Sequence, residues 1–319
     1  MQRYIVRRLL QFIPVLFLVS AGIFLIMRVV PGDVALMILV GPDGTGTVDP
    51  IQLEKLRDQL GLNDSLVVQY WNWVSGVFTG DWGQSLRSQT SVWEEITNRF
   101  PLTFEMVNLT VIISISIALP LGILMAMRQN TPIDYVARFI SIGGLAMPTF
   151  WVGALMLLTM VVFFNWIPPL GYSELWVSPW NNIQQVIWAC LALGYALSAV
   201  VSRMTRSTLL EVLRQDYIRT AWAKGLQERT VMTRHALKNA ILPVITIVGL
   251  QYATLMGGTV IMERIWNLPG LGTAMIDSIN FRDYPMVQGL VLLFALIILG
   301  VNLIIDLMYA WLDPRIRYG

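Results

Sequence analysis

Six stretches of the chain stay apolar for about 20 residues, the length a helix needs to cross the hydrocarbon of a bilayer. They fall at about 9–27, 106–127, 139–164, 183–201, 241–262 and 286–307. The fourth is the least apolar, with Gln184 and Gln185 near its start. Pro120, Pro148 and Pro243 lie in or beside these runs, where neighbouring helices can satisfy the backbone groups a kink releases. The pattern predicts an all-α integral membrane protein of six transmembrane helices.

Two polar interruptions are too long to be mere connectors. The first, 31–102, carries helical signals of its own. Asp49 before Pro50 reads as an N-cap with proline in the first turn, followed by an apolar stripe, Leu53, Leu56 and Leu60, that Gly61 can end. Leu66, Tyr70, Val74 and Val77 form a second stripe after Asp64-Ser65, and Val92, Ile96 and Phe100 suggest a third short helix. The region is either a small cap packed on the external mouth or a surface that meets substrate. It divides the chain into 1–102, a first span plus cap, and 103–319, a five-helix core.

The second interruption, 203–240, holds Arg203, Arg206, Arg214, Arg219, Lys224, Arg229, Arg234 and Lys238 against Glu211, Asp216 and Glu228. Its centre is the block Asp216, Tyr217, Ile218, Arg219, Thr220, Ala221, Trp222, Ala223, Lys224 and Gly225. Asp216 can cap a short helix and its charge suits a helix N-terminus, while Gly225 supplies a stop. Tyr217 and Trp222 offer anchors, and Ala221 and Ala223 leave room for a partner's backbone. The block is either a grip for another protein or a basic loop lying on anionic lipid.

Composition agrees with the pattern. Residues are 55% hydrophobic and 13% charged, against roughly a quarter charged in a soluble domain. The net charge of +2 matters less than where the charges sit. With the N-terminus inside, the inner loops hold fifteen basic residues against five acids, and the outer loops seven against fourteen. Lys and Arg on the inside set orientation, so both termini are expected in the cytoplasm. A cleaved signal peptide is the other reading of the first run, but its length and Gln11, Pro14 and Arg28 favour an uncleaved anchor.

Catalytic chemistry finds little support. One cysteine, Cys190, and one histidine, His235, leave no disulfide framework and no His pair for zinc, so no metal site is expected. The glycine-rich stretch 41–46 lacks the Lys of a phosphate-binding loop. His235, between Arg234 and Lys238, reads as a structural hydrogen-bonding residue rather than a proton relay. Asp306 is the carboxylate deepest in an apolar run; an acid there is a functional candidate by default, but near a helix end it also reads as a locking residue with a basic partner or water, joined by Asn302. Pro148, Phe150 and Trp151 are either a kinked, packed helix or part of a pathway wall. Glu263-Arg264, followed by 266–270, is an external gate, a docking point, or only a polar helix end. Met125, Met127, Met156 and Met160 sit at ordinary helical spacing as packing residues.

The block Tyr217-Ile218-Arg219-Thr220-Ala221-x-Ala223-Lys224-Gly225-Leu226, with His235-Ala236-Leu237-x-Asn239-Ala240 and Pro243, resembles the cytoplasmic loop of binding-protein-dependent ABC importer permeases. More narrowly it is similar to the first permease subunit of dipeptide, oligopeptide and nickel importers. Further matches run along the chain: Pro31-Gly32-Asp33, Gly80-Asp81-Trp82-Gly83-x-Ser85, Arg99-Phe100-Pro101-Leu102-Thr103, Pro148-Thr149-Phe150-Trp151-Val152-Gly153, Gly257-Gly258, Pro269-Gly270-Leu271-Gly272, Arg282-Asp283-Tyr284-Pro285 and Asp313-Pro314-Arg315-Ile316-Arg317. Arg219-Thr220-Ala221 stands where the general signature has Glu-Ala-Ala, a variation the peptide/nickel branch shares. The resemblance implies the type I ABC importer permease fold, with Asp216 to Gly225 as the coupling helix that docks in an ATPase groove. It implies a second permease subunit, two cytosolic ATPase subunits that carry the ATP and Mg, and an extracytoplasmic solute-binding protein. It also implies a bacterial or archaeal plasma membrane, with no cofactor on this chain and no nucleic acid as partner. Peptides, nickel complexes, glutathione and oligosaccharides are all substrates of that family. A stand-alone secondary transporter would instead need ionisable residues at mid-span and inverted repeats, and neither is evident; an intramembrane enzyme would need a catalytic constellation.

Overall fold

The computed structural model describes residues 2–29, 34–40 and 48–312. The motif Pro31-Gly32-Asp33, the glycines of 41–46 and the closing Asp313-Pro314-Arg315-Ile316-Arg317 lie outside the described residues. The chain is helical, with no strand among the described residues beyond an isolated Gln84–Ser91 bridge. It divides into two compact units, Met1–Pro101 with Pro269–Leu299, and Leu102–Leu268 with Gly300–Gly319. The linear division at 102/103 misses Pro269–Leu299, which packs with the first unit.

The first unit contains α1 (Gln2–Val29), α2 (Val34–Val40), α3 (Pro50–Gln59), α4 (Leu66–Thr79), the start of α5 (Val92–Met127), α13 (Leu271–Asn280) and the start of α14 (Tyr284–Leu312). Asp49 caps α3 as its sequence predicts: its Oδ1 accepts the Ile51 N–H at 3.0 Å. Gly61 follows the helix with φ +64°, a conformation that favours glycine. Trp82, Val92, Ile96, Leu271, Ala274, Met286 and Leu290 form one core, and Met27, Tyr284 and Val287 another. Two sequence motifs meet here, since the Ser85 hydroxyl donates to the buried Asp283 carboxylate. Asp283 also accepts the Met286 N–H at 3.3 Å and so caps α14.

The second unit contains the rest of α5, α6 (Pro132–Ala146), α7 (Thr149–Phe164), α8 (Pro179–Leu213), α9 (Asp216–Ala223), α10 (Glu228–Thr230), a π-helical turn (Val231–Ala236), α11 (Leu237–Gly258), α12 (Val260–Ile265) and the end of α14. The long helix α8 is central: it packs against α6, α7 and α11. Close approach is bought with small residues. A Cβ on Gly122 of α5 would stand 2.8 Å from the Ser202 carbonyl oxygen, and one on Gly144 of α6 would stand 2.9 Å from that of Tyr195.

Three expectations change. The third short helix does not exist separately, because Val92, Ile96 and Phe100 open α5, which continues through Pro101 and Pro120. The third span is broken: α6 and α7 meet at 98° around Pro148. Proline disfavours helical backbone in the residue before it, and Met147 is extended. The fifth run is also divided, with α11 ending at Gly258 and α12 starting at Val260. Among the described residues, five helices are long and apolar enough to cross a membrane, or six when the bent pair counts as one span.

Candidate functional site

The polar segment 203–240 folds as a short helix between two long ones. The periodicity of α8 continues to Leu213, after which Arg214 and Gln215 turn the chain. Gln215, not Asp216, occupies the cap position, and it makes no side-chain cap bond. Asp216 is the first helical residue, where its charge still suits the N-terminal end of the helix dipole. Lys224 ends α9 and Gly225 follows with φ +75°, the left-handed stop that glycine favours.

The helix has two distinct faces. Ile218 is fully buried and Ala221 nearly so, packed with Ala126, Leu209, Val231, Met232, Ala236 and Ala240. Ala221 therefore faces this chain's own interior and cannot receive a partner's backbone, which corrects that expectation. The other face exposes Asp216, Arg219, Thr220, Ala223 and Lys224 together with Tyr217 and Trp222, whose exposures are 42% and 44%. Burying such rings would stabilise a contact by about 2 kcal/mol each. Tyr217 is also tied back: its Oη accepts Asn239 Nδ2 at 2.8 Å and donates to the His235 carbonyl at a long 3.5 Å. His235 thus contributes its backbone. Arg219 reaches Asp216 at 3.4 Å with both side chains largely solvated, a pair of little energetic weight.

Beside this segment lies a charge cluster the sequence reading missed. Thr131 caps α6, and Asp134, three residues on, is completely covered. Its carboxylate binds Arg138 one turn later, accepts Arg206 of α8 at 3.2 Å through both oxygens, and accepts the Asn130 N–H at 3.0 Å. Ser141 and Ser202 meet at 3.0 Å further along the same pair of helices. The start of α6 is thereby fixed to α8. The available signal was Thr131-Pro132 before an acid with Arg138 one turn on; Arg206 is invisible to local spacing.

The remaining candidates lie apart. Pro148 sits at the α6–α7 break, where its carbonyl accepts the Trp151 and Val152 N–H groups. Phe150 and Trp151 are exposed, while Gly153 faces Met262 so closely that a Cβ would stand 2.7 Å from the sulfur. Glu263 is fully buried in the second unit and accepts the Thr103 and Thr259 hydroxyls at 3.0 and 2.9 Å. It is no solvated helix end and presents no docking surface. Asp306 is half-buried, six residues before the end of α14 and not in its last turn. Cys190 is buried among apolar residues. No cluster of metal-ligating side chains occurs among the described residues.

Comparison with known proteins gives a consistent picture. Residues 118–318 match the family described as binding-protein-dependent transport system inner membrane component, and residues 1–107 match the N-terminal family of such membrane components. The glutathione transport system permease protein GsiC of Shigella boydii serotype 4 (strain Sb227) is 38% identical over 318 residues, spanning 100% of both chains. GsiC of Escherichia coli (strain K12) gives the same identity and coverage. Among solved structures, an inward-facing MetNI methionine ABC transporter chain superposes with TM-score 0.56 at 18% identity, covering 69% of this chain and 96% of that one. An amino acid ABC transporter with histidines gives 0.50 at 16% identity, covering 65% and 88%. At such identities the likeness concerns the fold.

Proposed function

This chain belongs to the family of binding-protein-dependent transport system inner membrane components, and from that premise we propose that it is the permease subunit through which a separate ATPase drives solute import. The observation that carries the coupling role is the division of α9 into an anchored face, Ile218 and Ala221, and an outward face bearing Tyr217 and Trp222. A helix held in this way can receive force from a partner and pass it on. Displacement of α9 loads Leu209 on α8 and the turn that leads into α11, so the spans move as bodies and access switches from one side of the membrane to the other.

Partners follow from the same premise. A second permease chain completes the pathway, two ATPase subunits hold ATP and Mg on their own residues, and an extracytoplasmic binding protein delivers the solute. This chain moves solute without chemistry on it. The basic bias of the loops supports a cytoplasmic position for α9 and both termini. Short peptides of the glutathione kind are the favoured substrate class, resting on full-length similarity to GsiC. Pro148, Phe150, Trp151 and Asp306 remain our candidates for pathway or gate; Glu263 acts from within the packing, on the position of α12.

The experiment is co-purification and uptake with the ATPase subunits, for wild type and Trp222→Ala. The ring is exposed, so the variant should insert and fold normally, while ATPase capture and uptake fall about tenfold. Normal capture and uptake would remove α9 from the coupling role. A chain that transports when purified alone would overturn the permease-subunit reading itself.

A further inference from the structure

We propose that a cavity in the first unit is a binding site for a zwitterionic group, with its phosphate or carboxylate on Arg28, Trp73 and Gln288 and its amine toward Asp64 and Asp81. The cavity has a volume of about 260 Å³ and is lined by these five residues among others. Arg28 Nη1, Trp73 Nε1 and Gln288 Nε2 are all buried there with no hydrogen-bond partner. Buried donors are ordinarily satisfied. Here three donors, brought by α1, α4 and α14, line one space and lack acceptors. Gln288 is only 4% exposed, so bulk water does not satisfy it.

The surrounding residues fix the donors in place. Arg28 Nε donates to Gln69 Oε1 at 3.0 Å, and Gln69 is itself held by the Leu62 and Asp64 carbonyls. The guanidinium carbon lies 4.6 Å from the Phe24 ring centroid and 5.2 Å from that of Tyr284. The Trp73 ring stacks on Phe24 with an interplanar angle of 20°. A guanidinium with a spare N–H matches the oxygens of a carboxylate or phosphate, which also have lone pairs enough for the two neutral donors.

The rim narrows the ligand class. Asp64 and Asp81 line the same cavity and are exposed. Two carboxylates repel a free anion but attract an ammonium joined to one, so the charge pattern fits a zwitterion. Such a group has two sources. Arg28 stands in the last turn of α1 and Tyr284 opens α14, which puts the cavity at the polar ends of apolar helices, at headgroup depth for an aminophospholipid. A soluble peptide carries the same pair of charges at its termini. The inference stands apart from the transport reading, because it concerns binding to the chain itself.

The test is native mass spectrometry of the delipidated full chain, titrated separately with phosphatidylethanolamine, phosphatidylglycerol and dialanine. Binding of phosphatidylethanolamine or of dialanine is expected, and which of the two binds tells lipid from solute. Trp73→Phe and Gln288→Leu should each weaken it about fivefold, and Arg28→Met more than tenfold. Of the first two variants, Gln288→Leu keeps about the side-chain volume and removes an unsatisfied donor, so without ligand its Tm should be unchanged or higher, whereas Trp73→Phe also loses indole packing on Phe24 and should lower it. The ligand-induced rise in Tm should shrink in both. Binding that is absent, or equal in wild type and variants, overturns the site. Phosphatidylglycerol binding as tightly as phosphatidylethanolamine overturns the zwitterion assignment.

Discussion

Two aspartates in the second unit begin helices in nearly the same way and end in opposite situations. Asp134 lies in the first turn of α6 with Arg138 one turn on; Asp216 opens α9 with Arg219 one turn on. Asp134 is covered and gains a second arginine, Arg206, from α8. The Asp216 side chain is 95% exposed and keeps only Arg219. The local pattern is thus similar, an arginine four residues on in one case and three in the other, and a residue from a distant helix decides the outcome. The start of α6 is held by charge, whereas α9 is held by the apolar side chains beneath it, which leaves its charged and aromatic face available.

Breaking the apolar hold should have the largest effect. Ile218→Ala empties a fully buried position and should cost about 3 kcal/mol, read as a lower Tm of the purified chain. It should also uncouple ATP hydrolysis from uptake, because α9 loses its seat. Asp134→Asn comes next: it removes the charge that two arginines share. Arg138 and Arg206 keep some access to water, which limits the loss to about 2 kcal/mol, and chemical denaturation in detergent would measure it. Asp216→Asn should change stability by at most about 0.5 kcal/mol. A large loss there would mean that the exposed pair matters as much as the covered one, and the contrast between the two aspartates would fail.

How far the chain could be read in advance depended on whether the deciding contacts were local. Asp49-Pro50 and Gly61 announce α3, and Gly225 announces the end of α9, because caps and left-handed stops are properties of a few neighbouring residues. The full coverage of Glu263 was not legible, since Thr103 lies 160 positions away. Nor was the inward turn of Ala221, where a small side chain fits a partner's backbone and this chain's own core equally well. Pro101 and Pro148 make the same point in opposite directions. Both look like helix breakers, yet α5 passes through the first while α6 and α7 part at the second. The α6–α7 angle reflects packing: Gly144 seats α6 on α8 and Gly153 seats α7 on Met262.

The π-helical turn at Val231–Ala236 has its own consequence for α9. A π turn holds one more residue than the α turn it replaces, so this stretch carries a residue of spare length inside an otherwise continuous helical path. Removing one residue here would let the path close as α-helix while the helix on either side keeps nearly its present orientation, because six π residues turn the chain about as far as five α residues. The spare residue lies where Val231, Met232 and Ala236 pack with Ile218. The segment is a built-in allowance in the helical register at the seat of α9: the path can lose a residue there without turning α11 away from its neighbours.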